Sequence, residues 1–428
     1  MRNTITKVLL VVAFTLSVGV GSGYTGQGPI DHYIQPQIES IFMTQNFGFV
    51  SDSAIKDNYA YVVGMKGMVV LDITDPSNPK RIRTVLSDEL FRDIFIQGNY
   101  AYITTGRIHS INGKLKIFDI SNPKAVREIK NNLVFPENTV GLIVEDNLAY
   151  VGGYGAGFFI VDVSNPKKPF VLSKFAPSWD GKLTETQRKV RENIKERILS
   201  DPETALKKGK KLGLNTIDEM LDRVDSSKPG HAWWFDFKFP YAFVCFDSLG
   251  LHILDVSDPV NPRKVSSFNK KDPDGQPNYF NDVAVSGDYA YIALDHRGFL
   301  VLDISNIKNP REVAHLLPWG YVQWNRRPGS LVQVKVKGNL AFASAAKDGL
   351  YVYDISTPYK PVLVKKFGDA SKQGKSAAWG VEISGDLVGV GYTLEKTDHP
   401  IKGAFEIFQI KQSVGSGFSE TEKNMDSE

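Results

Sequence analysis

The chain has 428 residues, 51 Lys and Arg against 48 Asp and Glu, and a single cysteine, Cys245. So even a balance gives no global attraction to nucleic acid or anionic lipid, and one cysteine excludes an intrachain disulfide framework. No CxxCH stands anywhere in the chain, so this polypeptide has no ordinary covalent attachment site for c-type haem.

At the amino terminus Arg2 and Lys7 precede Val8 to Val20, a run of 13 uncharged residues that leads into GSGYTG. This is the pattern of a secretory signal peptide covering approximately residues 1–23, with cleavage between Gly21 and Gly26. The run is shorter than the ~20 residues of an ordinary membrane span. The expectation is therefore an exported chain in a periplasm-like compartment, with no membrane span once the leader is removed; an uncleaved anchor is the alternative.

From residue 33 to 412 the sequence repeats. An apolar strand ending in Asp recurs at MVVLD (Asp72), LKIFD (Asp119), FFIVD (Asp162), LHILD (Asp255), FLVLD (Asp303) and LYVYD (Asp354), with FEIFQ (Gln409) as a seventh, degraded copy. Successive spacings are 47, 43, 93, 48, 51 and 55 residues, the period of a propeller blade. Ahead of each lies a second strand (YAYV at Tyr59, YAYI at Tyr100, LAYV at Leu148, YAFV at Tyr241, YAYI at Tyr289, LAFA at Leu340, LVGV at Leu387). Six of these follow tight-turn sequences such as KDN, QGN or SGD, and KFP at Lys238 stands in the fourth. Each unit thus reads as an inner strand, tight turn, second strand, Gly-containing loop, third strand, Pro-rich turn and outer strand. The fold class is all-β: a seven-bladed β-propeller of four-stranded antiparallel blades. The repeated Asp, followed by Ser or Thr and a Pro-rich turn, reads as a corner fixed by local hydrogen bonds rather than six active sites.

The last unit lacks an outer strand, and the segment HYIQPQIESIFMTQ ahead of the first unit is spare. The simplest closure has the early segment supply the missing strand. The 93-residue gap carries helix signals over residues 180–227, between blades three and four. Thr184 to Gln187 is a capping-box candidate ahead of Val190, Ile194 and Ile198; Asp201-Pro202 restarts a helix; Thr216 to Glu219 caps another carrying Ile217, Leu221 and Val224. This insertion reads as a lobe that packs on the propeller or docks a partner. Residues 413–428 read as a disordered tail.

Aligned on the second strands, Asp52, Asp93, Gly141, Trp234, Asp282, Gln333 and Gly380 share one position near the starts of the inner strands. Asp52, Asp93 and Asp282 are the candidates for gathering a cation at the channel mouth; solvated or water-bridged carboxylates are the structural alternative. No HExxH, HxH or paired Cys/His spacing completes a metal site. His231 in PGHAWWFDF directly follows the insertion. With Trp233, Trp234, Trp319, Trp324, Arg326 and Arg327 it makes the set of interaction candidates, because aromatic residues and Arg anchor interfaces. No catalytic residue emerges from the sequence: G-x-S-x-G, P-loop and dinucleotide fingerprints are missing.

The repeats MVVLDITDPSNP, LHILDVSDPVNP and FLVLDISN behind YAYV-like strands resemble the LVIVD-repeat family of bacterial propeller proteins, over nearly all of residues 50–410 outside the insertion. That resemblance implies the fold and leaves function open. In its export-type amino terminus, seven units and missing CxxCH the chain is also similar to the propeller (beta) subunits of hydrazine synthase, multihaem complexes of anaerobic ammonium-oxidising (anammox) bacteria. This second resemblance implies a non-catalytic subunit, no cofactor in this chain, c-type haem on partner subunits and residence in the anammoxosome. Two other readings stand beside it. One is a stand-alone extracytoplasmic binding propeller for a peptide, glycan or surface protein. The other is a hydrolase or lyase with a polar pocket around Asp93, His231 and Asp282.

Overall fold

The computed structural model describes residues 37–45, 48–106, 111–178, 185–210, 214–226, 230–271, 278–319, 329–368, 376–394 and 402–411. Seven antiparallel sheets follow one another along the chain. Blade 1 is Val50–Lys56, Tyr59–Gly64, Gly67–Asp72 and Lys80–Leu86, each strand paired with the next. Blades 3 to 6 repeat this order. In blade 2 the outer strand is split, with Arg127–Ile129 and Val134–Glu137 both pairing with Ile111–Asp119. Blade 7 takes Ser376–Ser384, Leu387–Leu394 and Lys402–Lys411, and its outer strand is Gln37–Gln45 from the other end of the chain.

The period-two pattern of each strand divides its apolar side chains between the two neighbouring blades. In blade 1, Tyr61 and Val63 pack against Phe91 and Ile94 of blade 2, while Ala60 and Val62 pack against Phe405 and Ile407 of blade 7. Every adjacent pair of blades shares such a cluster, including the pair that closes the ring. The hydrophobic core is therefore a ring of interfaces around the axis, not a central mass.

The repeated aspartates hold the corner between third and outer strands. Asp72 Oδ1 accepts the Thr74 N–H at 3.0 Å and its hydroxyl at 2.7 Å. Asp162, Asp255 and Asp303 do the same with Ser164, Ser257 and Ser305, and Asp119 and Asp354 accept the backbone of Ser121 and Ser356. These bonds hold Asp72, Asp119, Asp255 and Asp303 below the ordinary carboxylate range.

Three helices, α1 (Glu185–Ser200), α2 (Pro202–Lys210) and α3 (Ile217–Ser226), stand between blades three and four, or between the fourth and fifth sheets if the composite blade is counted first. They pack on one another. The Thr216 box is formed: Thr216 Oγ1 accepts the Glu219 N–H at 3.1 Å and Glu219 returns a bond to the Thr216 N–H. Asp201 accepts the Thr204 N–H ahead of α2, and Ile198 is buried. Ile194 departs from expectation: it is 41 % exposed, on the outside of the lobe with Leu199. Thr184 and residues 413–428 lie outside the described residues, as does the amino-terminal leader. No helix among the described residues is long and apolar enough to cross a membrane.

Candidate functional site

The inner strands line the channel, and their register puts side chains two residues apart in successive layers. In the layer of Asp52, each acceptor reaches the backbone of the next blade. Asp52 Oδ2 accepts the Ile94 N–H at 3.2 Å, Asp93 the Leu142 N–H at 3.1 Å, Asp282 the Val334 N–H at 3.0 Å, and Gln333 Oε1 the Val381 N–H at 2.9 Å. One position is repeated around the ring, and these four members each bond to the residue after their counterpart in the next blade. Gly141 and Gly380 hold this position in blades 3 and 7, where a Cβ would come within 2.5 Å of Trp233 O or 2.6 Å of Ser51 O. At those two junctions backbone approaches backbone and leaves no room for a staple.

Asp52, Asp93 and Asp282 are thus neither open to solvent nor free to gather a cation with their full set of oxygens. They are 6 %, 6 % and 1 % exposed. Asp93 also accepts the Trp234 indole N–H at 3.0 Å, and Asp282 Oδ1 accepts the Val283 N–H at 2.8 Å. Burial, with Asp93 alongside, holds Asp52 well above the usual carboxylate range, and burial pushes Asp282 up to about 7. Among the described residues no group of three or more His, Cys, Asp or Glu side chains is arranged to hold a metal ion.

Two residues further along, the corresponding layer reads Ala54, Phe95, Ile143, Asp236, Ala284, Lys335 and Glu382. The three charged members were not singled out in the sequence, although each breaks an otherwise apolar register position. Burial alone would lower the Lys335 pKa; Asp282, Glu382, Asp93 and Asp236 outweigh it and hold the ammonium charged. Glu382 is pushed up to about 7 by burial and Asp236 is raised for the same reason. Asp236 staples blade 4 to blade 5 through the Val285 N–H at 2.7 Å. At the far end of the inner strands, lysines do the equivalent work: Lys238 and Lys337 bond to Asp288 and Asp386 in the next blade's turn at 2.7 and 2.8 Å.

At the mouth, Trp234 is 8 % exposed, with its indole committed to Asp93. It packs with Val140, Tyr154, Val332, Trp233 and Trp379 in one cluster contributed by blades 3, 4, 6 and 7. His231 Nδ1 lies 2.9 Å from Asp247 Oδ2, and its ring stacks on Tyr154 at 3.9 Å between centroids. The carboxylate that orients His231 is therefore Asp247, which sequence reading passed over, and not Asp93 or Asp282. Tyr154 itself sits at φ +47, in the left-handed region. Trp319 is partly buried, packs against the core shared by blades 5 and 6, and donates to the His296 carbonyl at 2.9 Å. Trp324, Arg326 and Arg327 lie outside the described residues. Cys245 is fully buried, its thiol raised by burial, and the buried His252 is pulled down to about 4 for the same reason.

In fold the chain is similar to a chain of the mitotic checkpoint complex (TM-score 0.55, 8 % identity, covering 94 % of this chain and 99 % of that one). It is similar also to the WD40 β-propeller domain of Doa1 (0.53, 8 %, 88 % and 98 %) and to virginiamycin B lyase from Staphylococcus aureus (0.52, 8 %, 88 % and 100 %). At such identities the likeness is one of fold alone. No curated protein matches the sequence. The LVIVD repeat model matches residues 48–86, 91–132, 138–176, 230–270, 279–316 and 328–369, which are the first six blades and more than half of the chain. On that match, the chain belongs to the LVIVD-repeat family.

Proposed function

We propose that this chain is a non-catalytic interaction scaffold, a subunit that positions other proteins in an exported complex. The observation that carries the reading is the commitment of the channel acceptors. Asp52, Asp93, Asp236, Asp282 and Gln333 spend oxygens on the backbone of the next blade, so the groups a channel enzyme would use are holding the ring together. Variation is confined instead to one face. In an antiparallel blade the first and third connections lie at one end and the second connection and the link to the next blade at the other. The first end has short, uniform turns among the described residues; the other bears the link that carries the three helices. Surface loops on a rigid frame are where recognition is commonly built.

The finer assignment is a propeller subunit of a hydrazine-synthase-type complex, which makes hydrazine from nitric oxide and ammonium. In that assignment c-type haem resides on partner subunits and the compartment is the anammoxosome. Its support is the sequence resemblance: seven units, an export-type amino terminus and no CxxCH. The test is a native mass of the gently purified protein from its source, with a visible spectrum on the same peak. Haem absorption with haem-bearing partner chains supports the finer assignment, and a colourless hetero-assembly supports the scaffold alone. A colourless monomer overturns both and leaves a stand-alone binding propeller.

A further inference from the structure

One residue ahead of the carboxylate layer, the inner strands place Arg92, Val140, Trp233, Val332 and Trp379 at the channel mouth, with Ser51 and Asn281 completing the ring. The last two have partners: Ser51 donates to the Phe91 carbonyl, and Asn281 Nδ2 to the Leu331 carbonyl at 2.8 Å. Three others are not. Arg92 Nε, Trp233 Nε1 and Trp379 Nε1 are buried with no hydrogen-bond partner among the described residues. Buried polar atoms in folded proteins are nearly always paired, so three donors in one layer call for an acceptor.

No acceptor of the layer reaches these donors, since none of the three has a partner among the described residues. Val140 and Val332 are apolar and come from blades on different sides of the axis, yet they pack in one cluster with Trp233 and Trp379, so the layer crosses the channel. The carboxyl group next to Arg92 is Asp93, whose Oδ2 already accepts the Leu142 and Trp234 N–H groups, and the Asp52 carboxyl lies beside it. Arg92 is 5 % exposed, and a buried guanidinium without a hydrogen-bonded counter-charge is costly. A water molecule would satisfy at most two of the donors and bring no charge. A carboxylate brings two oxygens, about four acceptor positions and the opposite charge.

The surroundings define the rest of the ligand. Trp233 lies edge-on to Tyr154 at 5.4 Å and stacks near Trp234 at 5.7 Å, and Arg92 lies near Tyr154. Aromatic walls with a few convergent polar groups suit a flat hydrocarbon body. We propose that the channel mouth is a binding site for a small aromatic carboxylate, whose oxygens take Arg92 and the Trp233 and Trp379 indoles and whose ring packs on Tyr154 and the tryptophans. This site rests on the isolated chain and is independent of whether the protein is a complex subunit.

The test is titration of the full-length protein with benzoate, and separately with its uncharged isostere benzamide, at constant ionic strength, read by intrinsic tryptophan fluorescence. Saturable binding of benzoate is expected, at least tenfold tighter than benzamide. Arg92→Gln should weaken benzoate at least tenfold, and Trp379→Phe by a few fold, with circular dichroism confirming that each variant is folded. Should Arg92→Gln not fold, Trp233→Phe and Trp379→Phe together with the benzoate and benzamide comparison still decide. The site is overturned by a flat benzoate titration, by equal binding of benzamide, or by unchanged affinity in folded Arg92→Gln or in both tryptophan variants.

Discussion

At the residue scale, the two sets of aspartates respond to pH in opposite directions. Corner residues such as Asp72 and Asp303 are stabilised as carboxylates, so their contribution is present above the ordinary Asp value and is lost as pH falls through the lowered one. Asp282 and Glu382, both at about 7, are favoured in their protonated forms by burial. Their contribution is complete below the ordinary carboxylate value and is lost as pH rises to about 7. Stability should therefore decline between about pH 4 and pH 7. Asp282→Asn keeps an oxygen for the backbone but cannot ionise; it should flatten that decline in thermal melts across this range, and an unchanged slope would assign the effect elsewhere. Asp282→Ala should cost roughly 1–3 kcal/mol by chemical denaturation, since it strands the Val334 and Val283 N–H groups.

The corner aspartates were legible in sequence because donor and acceptor stand two residues apart, as in Asp72 and Thr74. The ring of Asp52, Asp93 and Asp282 was legible as a register position, but its job was not, because each partner belongs to the next blade, as Val334 does for Asp282. Asp236, Lys335 and Glu382 carried a usable signal, a charge where Ala54 and Ile143 stand in other blades. The orphaned Trp233 and Trp379 donors carried none, because a missing hydrogen-bond partner is a property of three dimensions.

At the scale of elements, the insertion and the blades are separable. Cap chemistry at Thr216 and Asp201 marked α3 and α2 in advance, whereas the apolar spacing of α1 misjudged Ile194, since a three-helix lobe has too little interior to cover every apolar residue. The helices pack on one another, and the strands on either side, Phe170–Phe175 and Phe235–Lys238, are held within their own sheets. Replacing residues 180–227 by a short Gly/Ser linker should leave the propeller folded, with a thermal midpoint within a few degrees of the parent protein. It should also remove whatever partner recruitment the lobe provides, measured by co-purification from the source. A collapse of the propeller would instead make the lobe part of its core.

At the scale of the molecule, everything depends on closure, because stability in a ring of near-identical units is shared between neighbours. Among the described residues, Gln37–Gln45 is the strand of blade 7 contributed by the other end of the chain, and it pairs from Gln37 opposite Lys411 to Gln45 opposite Ala404, with one irregularity between Ser40 and Phe42. It is reinforced by Ser40 to Glu406 at 2.5 Å, by Tyr392 to the other oxygen of Glu406 at 2.9 Å, and by Lys365 donating to the Ile38 carbonyl at 2.5 Å. Ile38 is buried with Val388, Val390 and Phe408, inside the cluster that joins blade 7 to blade 6. Removing residues 37–45 would strip one edge of blade 7, open the interface to solvent and leave Lys402–Lys411 as an unpaired edge strand, a template for intermolecular pairing. The expected outcome is loss of a single cooperative unfolding transition and concentration-dependent association by size-exclusion chromatography, whereas excision of the helical lobe leaves both unchanged. A monomeric truncated protein with an intact transition would mean that the seven blade interfaces hold the ring without the strand that joins its ends.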